Sequence, residues 1–391
     1  MSPAAELSFD WHDPLVARVA WSRLAEPGDA RAGRLVAAVG PSEALRAVAE
    51  RGATADGSDS GSAAWLARYV PRLAVLDPVR DLAAGRRVGA RVVTPDAEEW
   101  PAGVDDLEVP PLCLWAAGPA RLDQVARRSV SLVGARAATT YGEHVARELG
   151  HGLAERGFAV VSGLAYGIDA ASHRGALAAG GTSVAVVAGG LDRPYPRGNE
   201  ALMRRLAAEG AVVSEVPPGA TPTRSRFLQR NRLIAALSGG TVVVEAAWRS
   251  GSLSTARTAE RLGRPVGAVP GPTTSMTSAG CHALVRSGAA VLVTDADEVA
   301  DLVGRLGADA ADEPVSPRTV LDDLDPLTLQ VLDALPVRRG RDLPSICRTA
   351  GVDEGSVQAA LGRLDLAGLA ERHGEGWRLR RHPSRAPTPS R

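Results

Sequence analysis

The sequence contains no lysine, since all 45 of its basic residues are arginine. This absence excludes a P-loop ATPase, whose lysine reaches the nucleotide phosphates, and an enzyme that forms a Schiff base through lysine. Any phosphate that a cationic side chain of this protein contacts must therefore meet the planar, forked guanidinium group of arginine.

Cysteines and long apolar runs are also scarce. The three cysteines, Cys113, Cys281 and Cys347, lie far apart and form no CxxC pair, which is typical of a protein in a reducing cytosol. We see no secretory signal and no long uncharged apolar span, so we expect a cytoplasmic protein without a membrane partner. The formal net charge is zero, so an anionic partner must be met by a local patch of arginines.

The 391 residues divide by composition into several predicted segments. Residues 1–85 are predicted to form a small helical module, and residues 86–306 an α/β domain of alternating strands and helices. Residues 307–325, rich in Ala, Asp and Pro, are predicted to be a linker. Residues 326–381 show a helix, a helix-turn-helix and a β-hairpin, which indicate a winged helix, and residues 382–391 are predicted to be a disordered tail.

The stretch from Ser129 to Gly175 organises the α/β domain. Apolar runs at 130–133 and 159–161 flank a helical pattern, and each run ends in a turn that contains glycine. This is the pattern of a βαβ unit. Further apolar runs between residues 91 and 294 predict a doubly wound, mostly parallel sheet, and such a sheet binds its ligand at the carboxyl ends of its strands.

Turns rich in glycine and serine follow several of these strands. Gly134–Arg136 follows the first strand of the βαβ unit, Ser162–Gly167 follows the second, and Ser250–Thr255 opens a later helix. The free N–H groups and the positive dipole end at a helix N-terminus favour phosphate. Two such loops at one sheet edge, beside an arginine turn, predict a phosphate site.

The densest basic cluster lies at 224–232 and reads Arg-Ser-Arg-Phe-Leu-Gln-Arg-Asn-Arg, without an acidic residue. Acidic residues suit a first helical turn, so the four cations oppose both the helix dipole and each other. The cluster is either a solvated helix start paired to acids elsewhere or a site for an anionic partner, and we favour the second reading. Phe227 inside it is predicted either to stack on a base or to pack in the fold.

Signatures of common cofactor and metal enzymes are missing. No GxGxxG follows the first strand, and the seven histidines show no metal-ligand spacing. We therefore expect no cofactor, no metal and no catalytic residue. His173 is predicted to cap or pack, Asp169 to shape the glycine loop, and Glu245 to accept hydrogen bonds from loop N–H groups rather than to act as a general base.

Taken in order, these motifs resemble those of the DprA/Smf family, the DNA-processing protein A of bacteria. The resemblance rests on the turn at 133–136, on Ser-Gly-Leu-Ala-Tyr-Gly-Ile-Asp at 162–169, and on Arg-Asn-Arg-Leu-Ile-Ala-Ala-Leu-Ser at 230–238. It extends through Tyr195-Pro196 with Asn199, Glu245, Ser250-Gly251-Ser252 and Pro270-Gly271, so it covers the central domain nearly end to end.

The resemblance implies an extended Rossmann-like domain that binds single-stranded DNA and has no established enzymatic activity. It further implies a homodimer that protects incoming strands, loads the RecA recombinase and supports natural transformation. By position, Arg136, Arg230 and Arg232 would contact phosphates. A phosphate-receiving pocket would be formed by Gly134, Ser162, Gly163, Gly167, Gly251 and Ser252. The single-strand site implied by the resemblance also includes Arg197, Arg226, Phe227 and Asn231.

The two ends of the chain match the family less closely. Family members often begin with a module that carries a Gly-Ile-Gly-Pro turn, whereas residues 26–29 here read Glu-Pro-Gly-Asp, which weakens the case for a DNA-binding role of this module. The predicted recognition helix at 353–367 holds one arginine against three acidic residues. We therefore predict a protein-contact or accessory role for the winged helix rather than duplex binding.

Two rival functions stay open on the sequence. A nucleotide-acting phosphoribohydrolase-like enzyme would use the same Rossmann loops, but its PGGxGTxxE signature is not matched at 237–245. A duplex-DNA regulator that works through the winged helix requires that residues 320–391 alone bind duplex DNA.

Overall fold

The computed structural model describes residues 7–52, 62–305, 307–311 and 320–380. The chain divides into two compact units, Met1–Asp312 and Glu313–Arg391. Residues 312–319 of the predicted linker and the whole of the predicted disordered tail lie outside the described residues. Among the described residues, no helix combines the length and the apolar character that crossing a bilayer requires.

The first unit begins with short helices. They are α1 (Pro14–Leu24), α2 (Ala30–Val39), α3 (Pro41–Ala47), α4 (Ser62–Ala67), α5 (Val70–Leu73) and α6 (Pro78–Arg87), with a π-helical turn at Val48–Gly52. Asp13, Asp29 and Asp77 cap α1, α2 and α6, because each carboxylate accepts a hydrogen bond from a backbone N–H of the first turn. Trp21 and Tyr69 are buried with their ring centroids 5.8 Å apart, so they pack the interior of this module.

A nine-stranded sheet forms the centre of the first unit. Its strands are β1 (Ala90–Val93), β2 (Leu114–Ala117), β3 (Ser129–Val133), β4 (Ala159–Ser162), β5 (Ser183–Val187), β6 (Ala211–Ser214), β7 (Gly240–Val243), β8 (Val266–Ala268) and β9 (Val291–Leu292). The strand order is β1-β2-β6-β5-β4-β3-β7-β8-β9. The strands from β3 to β9 run parallel, whereas β1 and β2 join them antiparallel at one edge. The predicted large, mostly parallel α/β sheet is confirmed.

Helices cover both faces of the sheet. They are α7 (Leu122–Arg127), α8 (Thr140–Glu155), α9 (Ile168–Ala178), α10 (Glu200–Glu209), α11 (Arg224–Ala236), α12 (Ser252–Arg261), α13 (Ala279–Arg286) and α14 (Ala296–Val303), with 3-10 turns at Ala102–Val104 and Arg197–Asn199. Val161 of β4 lies in one core with Leu233 of α11, and the neighbouring Val160 lies in the other core with Leu149 of α8. Because successive strand residues face opposite sides, burial on both faces explains the continuous apolar runs of these strands.

The second unit contains α15 (Pro326–Asp333), α16 (Leu343–Ala350) and α17 (Glu354–Leu366), followed by the antiparallel strands β10 (Ala370–His373) and β11 (Gly376–Leu379). Gly351 ends α16 with a φ of 69°, the left-handed conformation that glycine adopts at a helix C-terminus. Asp353 caps α17 by accepting a hydrogen bond from the backbone N–H of Ser356 at 3.0 Å. Val331, Ile346 and Leu361 fill the core of this unit.

The strand order reverses beside β3. The chain adds β4, β5 and β6 on one side of β3, and α11 then carries it back to place β7 on the other side. In open α/β sheets such a reversal leaves a crevice at the carboxyl ends of the two strands, and ligands bind there. The loops that follow β3 and β7 both open at this edge.

Candidate nucleic-acid interface

A cleft of about 730 Å³ lies at this edge of the sheet. Its walls come from the loops that follow β3, β4, β5 and β7, from the segment that enters α11, and from the first turns of α11 and α12. The predicted site residues that line it are Gly134, Arg136, Phe227, Arg230, Asn231, Gly251 and Ser252. Loops far apart in the sequence therefore meet at one cleft, as the sheet topology requires.

Helix α11 provides one wall of the cleft. Thr223 caps it through a hydrogen bond of 3.3 Å from the backbone N–H of Arg226 to Oγ1. Arg224, Phe227 and Asn231 recur at spacings of three and four residues, so they lie on one side of the helix and line the cleft. The apolar residues of the following turn, including Leu233, are buried against the sheet and fix the helix in place.

Arg230 forms the floor of the cleft and is only 5% exposed. Its Nη1 donates a hydrogen bond of 2.7 Å to the carbonyl oxygen of Val186, whereas its Nε is buried without a partner among the described residues. Burial lowers the pKa of this guanidinium to about 10, and the nearby carboxylate of Asp169 opposes that shift. Gly163 makes room for it, because a Cβ there would overlap the Arg230 guanidinium.

An aromatic ring with two cations beside it forms the upper part of the cleft. The guanidinium carbon of Arg136 lies 4.9 Å from the ring centroid of Phe227, and that of Arg230 lies 5.8 Å away. Tyr195 packs beside Phe227 at a centroid distance of 5.5 Å and is half exposed. The two distances from the arginines to the Phe227 ring are within the range of cation–π attraction. The cleft therefore presents a flat apolar surface flanked by positive charge.

Asp169 joins the loops that follow β3 and β4. Its carboxylate is buried and accepts a hydrogen bond of 3.3 Å from the backbone N–H of Ala165. Burial raises the pKa of Asp169, and the charge of Arg230 opposes that effect. Gly167, with a φ of 72°, lets the two loops touch, since a Cβ there would overlap the carbonyl oxygen of Ala135. Asp169 therefore shapes the glycine loop, as the sequence predicts.

The side chain of Glu245 holds two loop segments together through hydrogen bonds. The buried carboxylate accepts hydrogen bonds from the backbone N–H of Thr139 at 2.9 Å and from its hydroxyl at 2.6 Å. The Thr277 hydroxyl donates a third bond of 3.2 Å. The carboxylate thereby ties the start of α8 to the segment after β8, which agrees with the predicted loop-bonding role.

We expect Glu245→Ala to lower the free energy of unfolding by about 2 kcal/mol, because the N–H of Thr139 loses its acceptor. Glu245→Gln keeps an acceptor oxygen and an amide that pairs with the threonine hydroxyls, so it should retain most of the stability. Urea unfolding of both variants measures the difference.

The wild-type protein is expected to release no base from nucleoside monophosphates. A release of base that Glu245→Gln abolishes would instead support the phosphoribohydrolase-like alternative.

Polar groups at the start of α12 form another wall of the cleft, next to α11. Ser250 and Ser252 share a hydrogen bond of 2.7 Å between their hydroxyls. The side-chain amide of Asn231 donates to Ser254 Oγ at 2.8 Å and to the carbonyl oxygen of Gly251 at 3.2 Å, so it holds α11 and α12 together. Gly251 is exposed and precedes the ten-residue helix α12. The first N–H groups of this helix have partners within the turn, since the Ser252 N–H donates to Ser250 Oγ at 3.4 Å and the Ser254 N–H donates to the carbonyl oxygen of Gly251 at 3.0 Å.

Several predicted site residues lie beside the cleft without lining it. Arg232 forms an ion pair with Glu215, with two Nη2–carboxylate distances of 2.6 and 2.8 Å. Arg226 is paired with Glu26 at 2.8 and 2.9 Å, and Arg197 is exposed in a turn after β5. Ser162 is fully buried and donates its hydroxyl to the carbonyl oxygen of Leu132 at 2.6 Å. Gly163 and Gly167 serve the packing described above.

Arg249 and Tyr195 line the cleft, although the sequence motifs do not predict either of them as a site residue. Arg249 directly precedes the Ser250–Thr255 turn, so its place in a loop after a central strand was the available signal. Tyr195 stands at the start of the Tyr195-Pro196 turn, which on the sequence is only a turn. Its approach to Phe227 depends on how the loop after β5 folds over the sheet edge, and no local pattern reveals that.

The cleft carries an excess of positive charge. Arg136, Arg224, Arg230 and Arg249 line it, and Asp169 is the carboxylate among its lining residues. Arg136, Arg224 and Arg249 are exposed, and none has an ion-pair partner among the described residues. In the described part of the chain, no group of three or more His, Cys, Asp or Glu side chains is placed to hold a metal ion. His173 is buried and hydrogen-bonded to Ser183 Oγ at 2.7 Å, away from the cleft lining.

These features define a class of protein: a doubly wound α/β protein with an arginine-rich cleft at the switch point of its sheet, which is the place beside β3 where the strand order reverses. A family model described as "DNA recombination-mediator protein A" matches residues 91–304. The chain therefore belongs to the family of DNA recombination-mediator protein A, which is the DprA/Smf family that the motifs indicate.

The chain is similar to several named relatives. It is 48% identical over 371 residues to a protein of Mycobacterium tuberculosis named as a DNA processing protein DprA. The aligned residues cover 92% of this chain and 93% of the relative. It is 36% identical over 231 residues to "Protein Smf" of Synechocystis, with 58% of each chain covered. The solved structure of DNA processing protein A from Streptococcus pneumoniae aligns with a TM-score of 0.59 at 30% identity, covering 73% of this chain and 95% of that one.

Proposed function

We propose that this protein binds single-stranded DNA in the cleft and acts as a mediator of DNA processing, not as an enzyme. The observation that carries the proposal is the convergence of Arg136 and Arg230 on the ring of Phe227 at the switch point. Stacking on an aromatic ring requires the open face of an unpaired base, which a duplex hides, and guanidinium groups beside the ring suit the flanking phosphates.

Phosphates would be bound by the exposed arginines and by the start of α12. Arg136, Arg224 and Arg249 line the cleft and form no ion pair with any described residue, so binding a phosphate breaks no ion pair in that part of the chain. The start of α12 adds the positive end of a helix dipole and the hydroxyl groups of Ser250 and Ser252, which line the cleft. Arg226 and Arg232 would reach DNA only by exchanging their carboxylate partners for phosphates, while Arg197 would act at the rim. Binding of this kind tolerates any sequence and weakens with salt.

We expect Arg136→Gln to weaken binding of a dT oligonucleotide severalfold and to make the plot of log K against log salt shallower by about 0.7, the contribution of one phosphate contact to a single strand. Fluorescence anisotropy of a labelled oligonucleotide and of its duplex, over a salt series, measures both. Arg127→Gln is the matched control, since Arg127 is 79% exposed at the opposite edge of the sheet. Wild-type binding with no Arg136 effect would mean that the cleft is not the site, and absence of single-strand binding would overturn the proposed function.

Protection of incoming strands, loading of RecA and support of natural transformation are proposed on the ground of family membership. The names of the relatives, which refer to DNA processing, support a role on DNA. A RecA-loading assay on strands coated with a single-strand-binding protein tests this step, with Arg136→Gln as the variant that should fail.

We also propose a homodimer and a winged helix in the second unit. The edge strand β9 exposes Val291 and Leu292, and an unpaired apolar edge of a sheet favours association with another chain. The second unit would take a protein-contact or accessory role, since α17 carries Glu354 and Asp365 beside Arg363. Sedimentation of the full chain tests the dimer. Competition between duplex and single-stranded DNA for the full chain tests the accessory role, and we expect the duplex not to bind.

A further inference from the structure

A second depression, of about 670 Å³, lies where the helical module of the first unit packs against α11. It is bounded by the Pro27–Arg31 segment, by helices α2 and α4, and by one side of α11. We call it the N-terminal groove and define it by Arg31, Arg34, Trp65, Arg68, Ser225 and Gln229. No residue in this set belongs to the cleft described above.

The N-terminal groove has an excess of positive charge that its own acids do not neutralise. Arg68 pairs with Asp29 at 2.6 Å, and Arg226 at the groove wall pairs with Glu26, so both acids are occupied. Arg31 and Arg34 are exposed and have no acidic partner among the described residues. They stand three residues apart on α2 and therefore share one face of that helix. In a chain with zero net charge, this is a local anion-binding surface.

The groove also contains an aromatic wall. The Trp65 ring is half-buried, its Nε1 is buried without a partner among the described residues, and the guanidinium carbon of Arg68 lies 5.7 Å from its centroid. Arg68 is held there as well by the ring of Tyr69 at 4.9 Å. A tryptophan beside a fixed arginine has the same character as the Phe227–Arg136 pair in the cleft, namely an apolar face next to positive charge.

Helix α11 connects the two depressions. Arg224, Phe227 and Leu228 line the cleft, whereas Ser225, Arg226 and Gln229 line the groove. The two sets alternate along the first two turns, so the depressions lie on adjoining sides of one helix, whose full diameter is about 10 Å. A chain molecule that leaves the cleft across the start of α11 enters the groove directly.

We propose that the N-terminal groove continues the binding track for single-stranded DNA beyond the cleft, with Arg31 and Arg34 contacting phosphates. This inference rests on the proposed function of the cleft. Continuity through α11 and the unpaired arginines select a polyanion as the occupant, and the aromatic wall selects one with unpaired bases. The helical module thereby gains a DNA-binding role for which its turn at 26–29 gives no sign.

The test compares two lengths of dT oligonucleotide, about 6 and about 20 nucleotides. The first is near the lower end of the ~4–16 nucleotides that one OB fold covers, and the second is longer than that range. Arg31→Gln/Arg34→Gln should weaken binding of the longer strand severalfold and reduce its salt slope by about 1.4, the value for two phosphate contacts. Binding of the shorter strand, which the cleft accommodates, should not change. Arg86→Gln/Arg87→Gln, an equal charge change at exposed positions of α6, should leave both lengths unaffected.

The outcomes separate this inference from the function on which it rests. If Arg136→Gln weakens binding of the longer strand but Arg31→Gln/Arg34→Gln does not, the proposed role of the N-terminal groove is wrong and the proposed function of the cleft still stands. An equal loss for both lengths would also overturn it, because the effect would then be general electrostatics. Absence of any wild-type binding would overturn the proposed function itself. Thermal unfolding of both double variants should match the wild type, since all four arginines are exposed.

Discussion

Arg230→Met is expected to lower the free energy of unfolding of the first unit by about 3 kcal/mol and to abolish binding of single-stranded DNA. Arg230 is buried at the floor of the cleft near Asp169, and its charge opposes the cost of burying that carboxylate. Methionine has a similar volume but no charge, so it leaves Asp169 as an uncompensated buried anion. Urea unfolding near neutral pH and fluorescence anisotropy measure the two effects.

The loss of stability in Arg230→Met should depend on pH. Burial already raises the pKa of Asp169 in the folded state, and removal of Arg230 raises it further. A carboxyl group whose pKa is raised in the folded state leaves stability unchanged below its unfolded-state pKa, and it lowers stability as the pH rises from that value to the folded-state pKa. The penalty is therefore small below the ordinary Asp pKa of about 4 and grows as the pH rises through the folded-state value. Acidification from neutral pH should narrow the difference between variant and wild type.

A second substitution separates folding from binding in this experiment. Asp169→Asn removes the negative charge that Arg230→Met leaves buried without a cation, and it keeps an oxygen that accepts the hydrogen bond from the Ala165 N–H. Arg230→Met/Asp169→Asn should therefore recover most of the stability while binding stays lost, because the cleft floor still lacks its cation. If the double variant binds single strands as the wild type does, Arg230 serves only as the partner of Asp169.

Phe227→Leu is expected to weaken binding of single-stranded DNA about fivefold or more, because stacking of one base on an aromatic ring contributes ~1–3 kcal/mol. Leucine fills much of the same volume beside Tyr195, so the fold and the arginines of the cleft should remain in place. Anisotropy with a dT oligonucleotide measures the affinity. The salt slope should stay close to the wild-type value, since no phosphate contact is removed.

Phe158→Leu is the matched control for this change. Phe158 is buried, and the guanidinium carbon of Arg128 lies 3.9 Å from its ring centroid, so it forms a similar Phe–Arg pair. It directly precedes β4 and lies at the edge of the sheet away from the cleft. Binding by this variant should equal that of the wild type. If Phe227→Leu also binds normally, Phe227 packs in the fold and takes no part in stacking, which is the alternative that the sequence leaves open.

The fold was accessible from the sequence because its central strands are buried on both faces. Runs such as Ala159–Val161 and Val184–Val187 are continuously apolar, and a turn that contains glycine follows each of them. The antiparallel pairing of β1 and β2 was not predicted individually. Direction of pairing depends on contacts between strands distant in the chain, and a short apolar run carries no mark of it.

The candidate site was accessible in part. A parallel sheet gathers the loops after its strands at one edge whatever their sequence distance, so the turns at 134–136 and 250–255 could be assigned to one cleft. The roles of individual arginines were not accessible. Arg230 and Arg232 are two residues apart in one basic run, yet one forms the floor of the cleft and the other is paired with Glu215. Two residues correspond to about 200° around a helix, so the two side chains point in different directions.

By itself, the sequence determined the parallel α/β sheet, the edge at which its loops gather and the exclusion of lysine chemistry, because these follow from local apolar patterns, turns and composition. Only the tertiary structure decided which cations stay free, since pairing joins residues as distant as Glu26 and Arg226. It also brought the helical module against α11 to form the N-terminal groove. Both outcomes depend on side chains that meet across the fold, and the periodicity of a single segment does not encode such meetings.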